Sequence, residues 1–353
     1  MKGENNMKKI IWLAVICFAA ILAIAGCSNE GDSTSSTGDA TNKETYEWKL
    51  GWNSGLDDTA RGEAAKAFKA YVEEQSNGRI TIEFFPNETY ATSQEMIEAV
   101  QIGALDMQIA GSNMMANIIP EYAAISLPFL TQGFDETHAI LDGPIGDDLK
   151  KMGEEQGFKV LGDVELGFAQ ITNNVRPINS PDDLEGVKMR SPNDVSLIET
   201  FKAFGSSVST MPYTEIYNGL AQGVIDGQFN PLLHIFDQNM DEVQDYLAIT
   251  NHTYYTAYFI MNNDLFNNLD PELQQVVLEG GNKARDAARE FIKNSDEKFL
   301  EKAQSSFEGI TRPELEPFQE AVKPVYEKMA EVMGPKIIKE MQDFLLEYRE
   351  KKE

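Results

Sequence analysis

Apolar positions in this chain alternate between a strand period and a helical period. Trp48 to Trp52 reads as a strand, and Ala64, Ala67, Phe68, Tyr71 and Val72 then follow at i, i+3, i+4, i+7 and i+8, the spacing of one buried helical face. Asn77-Gly78 stops that helix, and Arg79 to Phe85 places Ile80, Ile82 and Phe84 on one side of a second strand. The pattern repeats: Ser93 is the expected cap of a helix through Ile102, Gly103 ends it, and Leu105 to Ala110 returns as a strand. Lys159 to Gly162 and Lys188-Met189-Arg190 read as short extended pieces. Leu197, Ile198, Phe201 and Phe204 mark a helix closed by Gly205, and Val208 to Met211 is extended again. Thr214 is the expected cap of a helix carrying Ile216 and Leu220, and Val224-Ile225 is expected to be a buried strand.

Such alternation predicts an α/β fold with largely parallel sheets, in which ligands bind beyond the carboxyl ends of strands. The C-terminal third is mostly helical. Asp270-Pro271-Glu272 starts a long helical pattern that runs toward Gln304, with a bend expected at Gly280-Gly281. A helix of about 30 residues suits a span across two lobes, and 353 residues favour two lobes over one core.

The amino terminus changes the picture of location. Lys8 and Lys9 precede the 16-residue apolar run Ile10 to Ala25, and Ile24-Ala25-Gly26-Cys27 closes it. A spanning helix needs about 20 apolar residues, so export is favoured over a permanent membrane span. The segment resembles a bacterial lipoprotein signal, which implies removal of residues 1–26 and lipidation of Cys27. Residues 27–45, rich in Ser, Thr, Gly and Asp, read as a flexible tether. Cys17 leaves with the signal, so the mature chain has one cysteine and no internal disulfide.

The formal net charge is −27, and loss of Lys2, Lys8, Lys9 and Glu4 makes it two units more negative. That field disfavours nucleic acid as a partner, yet a local arginine in a cleft still dominates at short range. Catalytic signatures are missing: there is no G-x-S-x-G, H-E-x-x-H, phosphate loop or C-x-x-C. His138, His234 and His252 lack ligand spacing and read as packing or surface residues, so neither a metal nor another cofactor is expected. Asp57-Asp58, Asp147-Asp148 and Asp182-Asp183 sit where helices or turns begin, where capping explains them better than glycosidase-like acid chemistry. Arg190 differs from these. It ends an extended piece and precedes Ser191-Pro192-Asn193, where a guanidinium can hold a carboxylate bidentately or pair with a neighbouring acid.

Three blocks then carry a resemblance. Gly186-Val-Lys-Met-Arg190-Ser-Pro-Asn193, Met211-Pro-Tyr213-Thr-Glu215-Ile-Tyr217 and Gln222-Gly-Val-Ile-Asp226-Gly-Gln228-Phe-Asn230-Pro231 resemble, in order and spacing, the solute receptors of tripartite ATP-independent periplasmic (TRAP) transporters. The likeness continues through Thr250-Asn251-His252. It implies a two-lobed periplasmic-binding-protein-like fold with a long helix spanning both lobes: residues 46–166 plus 256–295 in one, 167–255 plus 296–353 in the other. It also implies that Arg190 clamps a ligand carboxylate, that Asn230 donates to it, that Asn53 lines the opposite lobe, that Tyr213 forms an aromatic wall and that Asn193 is a polar neighbour.

The implied role is reversible capture of a small organic anion by a lipid-anchored, monomeric receptor and its delivery to membrane permease subunits, with no catalysis. Presentation to a sensor kinase, or remotely a secreted hydrolase, are the alternatives. Three positions depart from the family pattern. Ala169 stands where relatives often carry a second arginine, Phe229 where an acid is frequent, and Gly111 where sialate receptors use a carboxylate. These departures disfavour sialic acid and predict a pocket less cationic and more apolar than usual, suited to a monocarboxylate with a hydrophobic body.

Overall fold

The computed structural model describes residues 44–352. Cys27 and the signal lie outside the described residues, as does most of the tether. Among the described residues ten strands form one sheet system: β1 Tyr46–Gly51, β2 Ile80–Phe85, β3 Met107–Gly111, β4 Phe158–Asn173, β5 Lys188–Ser191, β6 Ser207–Thr210, β7 Gly227–Pro231, β8 Tyr246–Ala248, β9 Tyr254–Asn262 and β10 Gly309–Thr311. Their order is β2-β1-β3-β9-β4-β7-β5-β6, with β8 paired to both β4 and β10.

The expectation of largely parallel sheets holds in the two wings and in the small β8–β10 pair, but not in the middle of the sheet. β1 runs parallel to β2 and β3, and β5 runs parallel to β6 and β7. Between the wings lie β9 and β4, each antiparallel to its neighbours along the order. In β1, Trp48 and Leu50 turn inward while Glu47 and Lys49 are exposed, the period-2 pattern of a strand with one buried face.

β4 is where the sequence reading fell shortest. The extended piece expected at Lys159–Gly162 is the start of a 16-residue strand with almost every residue buried. Its polar residues conceal it. Asp163 is ion-paired with Arg289 at 3.1 Å, and Glu165 accepts from Tyr254 Oη at 3.2 Å and lies 2.6 Å from His138 Nε2. Thr172 donates to Gln244 at 2.8 Å. Partners at Asp163, Glu165 and Thr172 offset the cost of burying these groups, so the strand is buried without an apolar pattern.

The long helix spans Pro271–Ser306, with Asp270 as its cap accepting from Leu273 N at 3.0 Å. It does not break at Gly280-Gly281. There a Cβ on Gly280 would fall 2.6 Å from Val72 Cγ2, and one on Gly281 would strike the Leu161 carbonyl, so the pair permits close packing. The helix lies against the helix Ala60–Gln75, β4 and the helix Leu232–Asp237. Three smaller expectations shift. Thr92, not Ser93, caps its helix through a reciprocal box with Glu95; Thr214 lies in the 3-10 turn Tyr213–Glu215; and Val224 is 57% exposed, with the strand starting at Gly227. No helix among the described residues is long and apolar enough to cross a membrane.

Candidate functional site

The parallel wings end on a common cavity of about 360 Å3. Asn53 follows β1, Gly111 closes β3, Asn193 follows β5, Met211 follows β6 and Asn230 is the fourth residue of β7. This is the geometry expected of an α/β sheet, where strand carboxyl ends leave loops free to build a site.

All five ligand-contact residues expected from the sequence line this cavity: Arg190, Asn230, Asn53, Tyr213 and Asn193. Arg190 is 4% exposed, and its one side-chain hydrogen bond among the described residues runs from Nε to the Met211 carbonyl at 2.9 Å. That contact fixes the side chain and leaves both terminal nitrogens uncommitted. Burial draws its pKa down to about 10, with Tyr255 and Tyr213 nearby opposing the shift, so the group remains a cation at neutral pH. Asn230 is buried and donates to Gln228 Oε1 at 2.5 Å, which aligns its amide. Tyr213 is half-buried, its hydroxyl directed to the His234 carbonyl at 3.4 Å and its ring edge-on to His234. Asn193 is exposed and belongs to the rim, while Asn53 is half-buried.

Three polar atoms in this lining are buried without a hydrogen bond to protein: Asn53 Oδ1, Arg61 Nε and His234 Nδ1. Such groups are costly to leave unpaired and are satisfied when a ligand supplies the partner.

Arg61 and His234 were not recognised in the sequence. His234 was read as a packing or surface residue, but it lines the cavity, and burial together with the Arg61 charge lowers its pKa to about 3, so it stays neutral. Arg61 bears on a larger expectation. The position of the missing second arginine, Ala169, is buried in the core opposite Pro231, and Phe229 is likewise a core residue, stacked on Phe201 with centroids 4.1 Å apart. A second guanidinium, Arg61, nevertheless lines the cavity from the other wing. A Cβ at Gly111 would sit 3.8 Å from Arg61 Nη2, an ordinary contact distance, and 2.6 Å from Asn113 Oδ1.

Local structure holds Arg61 in place. Thr59 caps the helix Ala60–Gln75 by accepting from Gly62 N at 3.0 Å and donates to the Gly55 carbonyl at 2.7 Å. The loop folds tightly over Gly62, where any Cβ would strike the Leu56 carbonyl. Among the described residues no group of acids, histidines or cysteines could hold a metal ion.

A two-winged α/β sheet with a cation-lined cavity at its strand ends defines a solute-binding protein. Comparison with known proteins agrees. Residues 54–332 match the family model of bacterial extracellular solute-binding proteins, family 7, and the chain belongs to that family. It is 34% identical over 260 residues to the 2,3-diketo-L-gulonate-binding periplasmic protein of Escherichia coli, covering 73% of this chain and 79% of the relative. It is 28% identical over 286 residues to the C4-dicarboxylate-binding periplasmic protein of Rhodobacter capsulatus, covering 80% and 86%. Among solved structures, a TRAP periplasmic solute-binding protein from Polaromonas, bound to D-erythronate, superposes with a TM-score of 0.80 at 29% identity, covering 85% of this chain and 98% of that one.

Proposed function

We propose that this protein captures a small hydroxylated organic acid and delivers it to the permease subunits of a TRAP-type transporter. The observation that carries this reading is Arg190, a buried guanidinium held through Nε that lines one cavity with the oriented amide of Asn230. A carboxylate accepts two parallel hydrogen bonds from such a fork. The acids named for the relatives, diketogulonate and erythronate, carry a carboxylate and several oxygens. Asn53, Asn113 and Gln94, also in the lining, both donate and accept, as hydroxyl recognition requires.

Capture is by closure of two lobes, 46–166 plus 256–295 and 167–255 plus 296–353. Asn53 contributes from the first, and Arg190, Asn230, Tyr213 and Asn193 from the second. A ligand touching both favours the closed population, and no covalent chemistry is needed. Lipidation of Cys27 would hold the receptor at the membrane, and a Cys27→Ser protein should then leave the membrane fraction.

Thermal melting against a panel of hydroxy acids and their neutral analogues tests the ligand class. Ligand at 100 times its dissociation constant adds about 2.7 kcal/mol, which raises the midpoint by several degrees. Stabilisation by acids alone is expected; stabilisation by neutral sugars alone sinks the reading.

A further inference from the structure

Arg61 occupies an unfavourable place for a residue with no task. It is the second residue of the helix Ala60–Gln75, where the partial positive charge of the helix end repels a cation. It is 6% exposed, so it is also stripped of most of its water. No hydrogen bond and no ion pair within 4 Å compensates it among the described residues. Glu88 and Asp237 act on it only at longer range: Glu88 Oε1 is taken up by Ser93 N and Oγ at 2.9 and 2.6 Å, and Asp237 accepts from Gln238. A buried cation without a close counter-ion is among the costliest arrangements a fold can hold, unless a bound anion completes it.

The cavity supplies the place for that anion. Arg61 and Arg190 both line it, on opposite wings, and Tyr213 feels the charge of both. Both guanidiniums are drawn down to about 10 by burial and remain charged at neutral pH. One carboxylate satisfies Arg190. A second anionic group would complete Arg61, to which no carboxylate of the described residues comes within 4 Å, while Glu88 and Asp237 act only from farther off.

We infer that Arg61 is a specificity-determining residue and that the ligand is a hydroxylated diacid, with one carboxylate on Arg190 and its far carboxylate on Arg61. This rests on the organic-acid receptor reading above. It replaces the monocarboxylate expected from the sequence, since the position that lacks the family's second arginine is compensated from the other wing.

Calorimetric titration of the purified mature protein with matched acids of equal carbon number tests it: tartrate against threonate, and glucarate against gluconate. In at least one pair the diacid should bind at least about tenfold more tightly than its monoacid, the size of a charged hydrogen bond. Arg61→Gln should reduce that preference to about twofold with little change in monoacid affinity, Arg61→Lys should restore part of it, and Arg190→Gln should weaken both acids. Melting curves of each variant establish that it is folded. Equal or tighter binding of the monoacid in both pairs, or a preference that survives Arg61→Gln, overturns the inference; if Arg190→Gln still abolishes monoacid binding, the receptor reading stands without it. Absence of binding by every acid overturns both.

Discussion

The two arginine-bearing walls of the cavity are built by different rules. Arg190 lies near the carboxyl end of a parallel strand and donates from Nε to the Met211 carbonyl, so its guanidinium is oriented by the protein itself. Arg61 stands in the first turn of a helix capped by Thr59, and its side chain makes no hydrogen bond among the described residues. One wall orients; the other supplies an unpaired charge. A guanidinium held by the backbone selects geometry, whereas one held only by burial selects charge.

The largest effect that could break this contrast is expected at the oriented wall. Arg190→Ala should weaken acid binding by about 3 kcal/mol, the upper range for a hydrogen bond to a charged group, and titration calorimetry reads it directly. A loss below threefold would remove Arg190 from the ligand. A smaller effect is expected at the charged wall from Gly111→Asp. The new carboxylate would face Arg61 Nη2 once Asn113, whose Oδ1 lies 2.6 Å from the added Cβ, swings aside. Neutralising Arg61 in this way should cost diacid affinity about tenfold, or 1.4 kcal/mol, and leave monoacid affinity nearly unchanged. Equal losses for both would mean that the substitution merely blocks the cavity.

The smallest effect concerns pH. His234 faces Arg61, and its pKa is lowered to about 3, so it should stay neutral throughout the physiological range. Diacid affinity should therefore vary less than about twofold between pH 8 and 5.5; a break near 6.5 would show that His234 titrates. Stability behaves differently from affinity. A histidine depressed in the folded state binds protons more readily when unfolded, so its contribution is intact above pH 6.5 and falls as pH drops toward 3. His252, also lowered to about 3 but by burial alone, provides the control. Relative to His252→Gln, the wild type should lose about 2 kcal/mol between pH 6.5 and 5, measured by chemical denaturation.

Much of the oriented wall could be read in the sequence, because a short strand ending in Met189-Arg190-Ser191 with a Pro-Asn loop obeys the strand-end rule, and the three linked blocks placed Asn230 and Tyr213 beside it. The charged wall could not be read in the same way. Arg61 was passed over because its helix was recognised by the apolar face Ala64, Phe68 and Val72, and that face is silent about the first turn. A signal was available: an arginine two residues after a threonine cap runs against the helix dipole. The wings were legible from period alone. Most of β4 was not, since Asp163, Glu165, Gln170 and Thr172 are buried there by virtue of partners contributed from distant segments. Pattern reading assumes that the inside is apolar, and a strand whose polar groups are satisfied by tertiary contacts violates that assumption.

β4 has one further consequence. It pairs with β9 along its first part and with β7 and β8 along its last, with register shifts at Val160/Gly162 and Glu165/Gly167, and Gly167 takes a φ of +102° that few other residues tolerate. Both walls of the cavity hang from this shared girder, one on each side of the second kink. A change in its register or bend would move one wall against the other, so residues far from the ligand can tune the fit by torsion, much as a tuning peg changes pitch without touching the bridge.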